Sequence, residues 1–220
     1  MKGAEDDHGK REGARGEEAL QGCLRRPGGH VRRGHARRPR EGPLPPCGRG
    51  GGARCRRQPG PAPARSGMRD GALSDLVLGK IPGASLTCFD LSPNMLDAAR
   101  ARLGGSAELV LGDAEGLPFQ DCSFDAVWCN DSFHHYPDPE RAAFQAWRVL
   151  KAGGALVVGD VWQPAPARAV MNAWLPHSAE GDVRIYSERE MREILGKWFD
   201  GVSWRRVGPT ACLAVARKGR

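Results

Sequence analysis

The sequence predicts a doubly wound α/β domain over residues 65–220, with a mostly parallel sheet closed by an antiparallel hairpin, behind a segment of residues 1–64 that has no fold of its own. Three observations predict this. From Ala72 onward, short apolar runs alternate with amphipathic, capped segments, the pattern of strand–helix units that build a parallel sheet. The last two apolar runs are separated only by a short turn around Gly208-Pro209, and strands joined so closely pair antiparallel, because a parallel pair needs a crossover of about a dozen residues. Residues 1–67, by contrast, contain no Phe, Trp or Tyr.

Charge divides the chain in the same place. The net charge is +7 overall, but residues 1–67 carry 16 Lys+Arg against 7 Asp+Glu, while the remainder is slightly acidic. The large aliphatics of this first third are Leu20, Leu24, Val31 and Leu44, diluted by 15 Gly and 8 Pro. Ordering a backbone costs roughly 1–2 kcal/mol per residue, and so little apolar surface does not offset it. Disorder is therefore expected over residues 1–64. The Arg32–Arg40 cluster suits phosphate contacts of a salt-sensitive, non-specific kind, but no aromatic residues are interleaved to stack on bases, so no specific nucleic acid is expected. Seven Cys without a CxxC pair, in a chain whose N-terminus lacks the apolar core of a secretory signal, suggest reduced thiols and a cytoplasmic location. No metal is expected; Cys47 and Cys55 near His30 or His35 come closest to a ligand set. No apolar run approaches the ~18 residues that span a bilayer, so no membrane partner is expected.

The elements follow in order. Residues 86–89 form a short apolar strand ending in Asp90. Ser92 is placed to cap a helix with Pro93 at its first position, where a missing N–H costs nothing. Leu96, Ala99 and Leu103 share one face, and Gly104-Gly105 ends the helix. Residues 109–111 and 124–129 are the next strands. Asp138-Pro139 opens a helix with Ala143, Ala146, Trp147 and Leu150 on one stripe, stopped by Gly153-Gly154. Residues 155–159 are a buried strand ending at Asp160. Ser187 to Glu190 is a capping box, with Tyr186 and Met191 as its hydrophobic staple, and the helix runs to about Trp198. Residues 202–207 and 211–216 are the closing hairpin.

In such a sheet, ligands bind outside the carboxyl ends of the strands, where Asp90, Asp113, Asn130 and Asp160 fall. An acidic residue after the second strand suits a ribose, because a carboxylate accepts from both hydroxyls; equally, Asp90 is placed to begin the turn into the next helix. His134-His135 is the candidate general base, since imidazole titrates near neutrality. The plainer reading of the pair is the ordinary approach to the next helix, and no catalytic residue is assigned.

Four motifs in order then resemble one family. Phe89-Asp90-Leu91-Ser92-Pro93-Asn94-Met95-Leu96 looks like the second motif of class I S-adenosylmethionine-dependent methyltransferases, and Gly112-Asp113-Ala114-Glu115-Gly116-Leu117-Pro118-Phe119 like the stretch that holds the adenine. Phe124-Asp125-Ala126-Val127 and Arg148-Val149-Leu150-Lys151-Ala152-Gly153-Gly154 resemble the motifs that follow. The nearest group is the type 11, ubiquinone/menaquinone-like methyltransferases. This resemblance implies a Rossmann-like sheet, S-adenosyl-L-methionine as cofactor, and methyl transfer to a small-molecule acceptor. It implies Asp90 on the ribose, Leu91 and Met95 lining the adenosine site, Asp113 accepting from the adenine amino group beside the backbone of Ala114, and Asn130 where the methionine end meets the acceptor. Trp162, Trp174 and His177 fall where the family covers the acceptor.

The family's glycine-rich loop, Asp-x-Gly-x-Gly-x-Gly, belongs about 25 residues before Asp90, at residues 65–71. Here those residues are Arg65-Ser66-Gly67-Met68-Arg69-Asp70-Gly71, so Gly67 and Gly71 alone stand in register as cofactor contacts. The strand before the loop is replaced by Pro59, Pro61 and Pro63, which cannot donate to a central ladder. With codons that the protein sequence permits, reading residues 65–71 one base later gives Asp-Leu-Gly-Cys-Gly-Thr-Gly. The N-terminal third is thus expected to be a frame-shifted reading of the true one. Two other readings stay open at this point: an inactive methyltransferase-like scaffold, and a nicotinamide-dependent oxidoreductase, which shares the acidic residue after the second strand.

Overall fold

A computed structural model describes residues 86–175 and 181–220, together with residues 74, 79–81, 83 and 84. The expected tail of residues 1–64, the loop of residues 65–71 with Gly67 and Gly71, and His177 lie outside the described residues.

Strand β1 (Leu86–Asp90) is buried along its whole length and leads into helix α1 (Pro93–Leu103). Leu96, Ala99 and Leu103 are its buried face, and Gly104 ends it at φ +54°, a backbone conformation glycine adopts without a Cβ clash. The cap differs from expectation. Ser92 occupies the N-cap position, but its side chain makes no capping bond. The Asp90 carboxylate instead accepts from the Ser92 backbone N–H at 2.9 Å, so the strand-end acid shapes the turn into the helix. Strand β2 (Ala107–Leu111) pairs parallel with β1, and the Thr87 hydroxyl donates across the ladder to the Glu108 carboxylate.

Strand β3 (Phe124–Asn130), helix α2 (Pro139–Val149) and strand β4 (Leu150–Val161) form the next unit, β3 and β4 pairing parallel. Asp138 caps α2 by accepting from the Arg141 N–H at 3.0 Å. The buried stripe is Ala142, Ala143, Ala146 and Val149; Trp147, expected on it, is half-buried. Gly153-Gly154 does not stop the helix either. α2 ends at Val149, and Leu150 already pairs with Phe124 as the first residue of β4. Gly154 serves a different need: a Cβ there would stand 2.7 Å from the Asp125 carbonyl and 2.9 Å from that of Lys151.

Helix α3 (Ala165–Trp174) was not anticipated and buries none of its residues. Helix α4 (Glu188–Gly196) carries the expected capping box, Ser187 accepting from the Glu190 N–H and Glu190 from that of Ser187, and ends two residues before Trp198. Tyr186 and Met191 lie buried in one apolar cluster, as a staple requires. Strands β5 (Gly201–Val207) and β6 (Ala211–Arg217) form the closing hairpin, and β6 also pairs antiparallel with β4. One strand, β6, is therefore reversed, as expected.

The described strands fall into two pieces: β1–β2, and β3–β4–β6–β5. Among the described residues no ladder joins them. Side chains do: Phe89 packs with Phe124 and Val127 in one cluster, and Leu86 and Cys88 with Ala126 and Trp128 in another.

Candidate functional site

At the carboxyl ends of β1 and β2 sit the residues expected to hold an adenosine. Asp90 is buried, 6% exposed, and its backbone carbonyl accepts from the Gly112 N–H at 3.0 Å, tying the two strand ends together. Gly112 permits this close approach, since a Cβ there would stand 2.8 Å from the Phe89 ring. Asp113 caps the single turn Ala114–Gly116 by accepting from the Glu115 N–H at 2.8 Å. Ala114 is buried, whereas Leu91 and Met95 are half-buried on the turn and first helical turn after Asp90. Glu115 faces away from this end: its carboxylate accepts from the Asp138 N–H at 2.6 Å and its carbonyl from Arg141 Nε at 2.9 Å, which fastens the turn to the start of α2.

The chemistry of this donor set fits the adenosine half of the cofactor that the sequence resemblance implies. Two carboxylates stand at the ends of adjacent parallel strands, and the half-buried apolar side chains of Leu91 and Met95 flank one of them. The residues expected at the methionine half, in the loop of residues 65–71, lie outside the described residues.

The carboxyl ends of β3 and β4 hold a different set. Asn130 ends β3, and its amide oxygen lies where a Cβ on Gly159 of β4 would stand, 2.8 Å away. Asp131 follows with φ +56°, then the single turn Phe133–His135. Asp160, at the end of β4 with its side chain 2% exposed, grips that turn twice: it accepts from the His134 backbone N–H at 2.9 Å and meets His134 Nδ1 at 2.5 Å. From the loop before α4, Asp182 approaches both rings, its Oδ1 lying 3.4 Å from His134 Nε2 and 3.0 Å from His135 Nδ1. The His134 carbonyl accepts from Val183 and Arg184 N–H groups, which holds that loop in place.

The two imidazoles, 4.0 Å apart between centroids, are pushed in opposite directions. Burial lowers His134, but the Asp160 carboxylate bonded to it, with Asp131 and Asp182 nearby, outweighs burial and raises it above 6.5. Burial and the neighbouring His134 together push His135 below 6.5 against the pull of Asp182. One ring thus favours the charged form and its neighbour the neutral one at the same strand ends. Neighbouring titratable groups pushed apart by their surroundings are a recurring mark of acid–base sites.

The structure therefore gathers the expected residues in two groups: Asp90, Leu91, Met95, Asp113 and Ala114 at one piece of the sheet, and Asn130, His134 and His135 at the other. Trp162 stands over the hairpin, its ring 4.4 Å from the Arg206 guanidinium, and Trp174 is 74% exposed. Sequence reasoning missed Asp182 altogether, and it missed the partnership of Asp160 with His134. A carboxylate at a strand end was the available signal for Asp160. Nothing local signals Asp182, which lies 48 positions beyond His134 in the sequence.

A family model described as a methyltransferase domain matches residues 66–158. Among curated proteins, 2-methyl-6-phytyl-1,4-hydroquinone methyltransferase 1, chloroplastic, of Oryza sativa subsp. japonica is 30% identical over 147 residues, covering 60% of this chain and 42% of its own length. Demethylmenaquinone methyltransferase of Thermotoga maritima is 34% identical over 126 residues, covering 53% and 55%. The chain thus spans about half the length of the curated relatives it matches. Among solved structures, an S-adenosylmethionine-dependent methyltransferase of Thermotoga maritima, described as a possible histamine N-methyltransferase, superposes with a TM-score of 0.64 at 18% identity, over 94% of this chain and 88% of its own. At that identity the likeness speaks for the fold alone.

Proposed function

We infer, for a chain that carries a class I S-adenosylmethionine-dependent methyltransferase domain, that it methylates a small, quinone-like molecule. The observation that carries this reading is the His134–His135–Asp160–Asp182 cluster at the carboxyl ends of β3 and β4, together with Asp90 and Asp113 at the carboxyl ends of β1 and β2. The activities for which the relatives are named, on a phytyl hydroquinone and a demethylmenaquinone, supply the acceptor class. S-adenosylmethionine, when bound, supplies a methyl group already activated by its sulfonium, so the protein's task is placement and control of the acceptor's proton.

Asp90 would accept from the ribose hydroxyls and Asp113 from the adenine amino group, with Leu91, Met95 and the Ala114 backbone against the ring. Gly67 and Gly71 would approach the methionine end, and Asn130 would stand between the two ends. The imidazole–carboxylate cluster would draw the proton that methylation displaces: that of the hydroxyl whose oxygen is methylated or, for methylation at a ring carbon, the hydrogen of that carbon. Asp160 and Asp182 hold the rings in place for this. The test is incubation of the purified protein with S-adenosylmethionine and a panel of hydroquinones, reading S-adenosylhomocysteine and methylated product by mass spectrometry. Product from a hydroquinone supports the reading. Cofactor binding without product from any of them removes it.

A second reading has one observation in its favour. Residues 65–71 keep only two glycines of the family's loop, which suits a methyltransferase-like scaffold without turnover. Absence of S-adenosylmethionine binding by the chain as it stands supports that reading.

A further inference from the structure

We propose that His134, His135 and Asp182 form a binding site for a single divalent transition-metal cation of the zinc type, oriented from behind by Asp160. Three ligand atoms converge on one point: Oδ1 of Asp182 lies 3.4 Å from Nε2 of His134 and 3.0 Å from Nδ1 of His135, and all three lie within 4.8 Å of one another. Zinc bonds to imidazole nitrogen and carboxylate oxygen at about 2.0–2.2 Å, so adjacent ligand atoms of a tetrahedral site stand roughly 3.4 Å apart. The separations of 3.4 and 3.0 Å from Asp182 lie at that edge and slightly inside it.

A second grouping, Asp131 with His134 and Asp160, also falls within 4.8 Å. It is the poorer site, because His134 Nδ1 is already engaged by Asp160 at 2.5 Å. That engagement leaves Nε2 as the ligand atom of His134, and Nε2 is the nitrogen that faces Asp182. A buried carboxylate bonded to the far nitrogen of a metal-binding imidazole is the arrangement that fixes ring orientation and strengthens the ligand. Asp160 is suited to it, with its side chain 2% exposed and a second bond from its other oxygen to the His134 backbone N–H.

The ligand side chains themselves are 13–21% exposed, so the site is reachable from solvent. Three protein ligands leave a tetrahedral cation one open position, as catalytic rather than structural zinc sites do. Insofar as the methyl-transfer reading holds, a cation bound there would replace the free imidazoles in handling the acceptor's proton, by binding and acidifying its hydroxyl oxygen at the open position. The cation site itself does not depend on that reading.

The test uses the tag-free full-length protein, stripped with a chelator and titrated with Co²⁺ in the absence of methyl donor and acceptor. The expected result is one equivalent bound, with visible ligand-field bands and no near-ultraviolet thiolate band. Asp160→Asn is expected to weaken binding about 10- to 100-fold, and Asp182→Asn and His135→Gln by more than that. Circular dichroism confirms that each variant is folded; if Asp160→Asn is not, Asp182, whose side chain is more exposed than that of Asp160, carries the test. No bound Co²⁺, a thiolate band, or unchanged affinity in Asp182→Asn overturns the proposal. Because neither methyl donor nor acceptor is present, failure here leaves methyl transfer untouched. A protein that binds Co²⁺ yet makes no methylated product fails only the functional reading.

Discussion

The two pieces of the sheet differ in how they are held. The β3–β4–β6–β5 piece is closed by ladders in both directions: β4 pairs parallel with β3 and antiparallel with β6, and the hairpin seals the far side. It positions its functional side chains through bonds that are all on the described residues, from Asp160 and Asp182 to the two imidazoles. Among the described residues, the β1–β2 piece has one ladder and meets β3 through side-chain packing around Phe89 and Cys88. The sequence resemblance implies a central strand and glycine loop between these pieces, at residues outside the described ones. The difference teaches that strands with ladders on both sides can hold a charged side-chain cluster by direct bonds, whereas the β1–β2 end is held, among the described residues, by one ladder and by packing.

The strongest way to break this comparison is to change the reading frame. Restoring one base near codon 71 is expected to supply Asp-Leu-Gly-Cys-Gly-Thr-Gly at residues 65–71 and to convert the protein from one with weak or undetectable S-adenosylmethionine binding into one whose binding is measurable by calorimetry. Stop codons in the shifted frame upstream, or a corrected protein that binds no better than this one, refute the frame shift.

Next in size is a test of which piece carries the stability. Gly154→Ala places a Cβ 2.7 Å from a backbone carbonyl at the start of β4, and overpacking of this kind costs about 1–3 kcal/mol. Gly116→Ala, in the turn after β2, meets nothing within 4 Å. Urea denaturation is expected to show a clear loss for the first and little for the second. Equal midpoints would show that the β4 entry tolerates the added methyl.

Asp90→Ala sharpens the cofactor end. A hydrogen bond to a charged group is worth about 1.5–3 kcal/mol, so affinity for S-adenosylmethionine in the frame-corrected protein is expected to fall about 10- to 100-fold. Because Asp90 also holds the Ser92 N–H, Asp90→Asn, whose amide oxygen still accepts a hydrogen bond, separates loss of the turn from loss of the ribose contact. Unchanged affinity in both variants removes Asp90 from the site.

The smallest effect is in pH dependence at the other end. His134 is raised above 6.5, so its contribution to stability is full below 6.5 and is lost as pH rises through its folded value. His135 is lowered, so its contribution is full above 6.5 and is lost as pH falls through its folded value. Denaturation midpoints measured from pH 5 to 9 are expected to decline on the alkaline side in the parent protein and to flatten there in His134→Gln. A parent protein with no such decline would show that Asp160 does not favour the charged ring.

Much of the fold was legible because it is written locally. The stripe of Leu96, Ala99 and Leu103, the Asp138 cap, the Ser187–Glu190 box and the short β5–β6 turn each depend on residues a few positions apart. What was misread was decided at longer range. Gly153-Gly154 carried the sequence signature of a helix stop, yet the stop came at Val149 because Leu150 pairs with Phe124 across the sheet, and Gly154 is small to clear the Asp125 carbonyl. Ser92 had the right place for a cap, but Asp90 holds the turn. At the site, the strand-end acids and the histidine pair were visible by position. Asp182 was not, since only the course of the loop before α4 brings it against the rings.

Helix α3 has a dynamic consequence. It buries no residue, leaves Val170 70% and Trp174 74% exposed, and is moored by the Asn172 side chain, whose amide exchanges bonds of 3.0 and 2.8 Å with the Ile185 backbone. Two such bonds contribute about 1 kcal/mol each. Detaching this helix is therefore expected to cost far less than opening the β4 and β6 ladders. Its amides belong to the least protected class in hydrogen exchange, swapping with solvent through a local opening long before the β4 and β6 ladders yield.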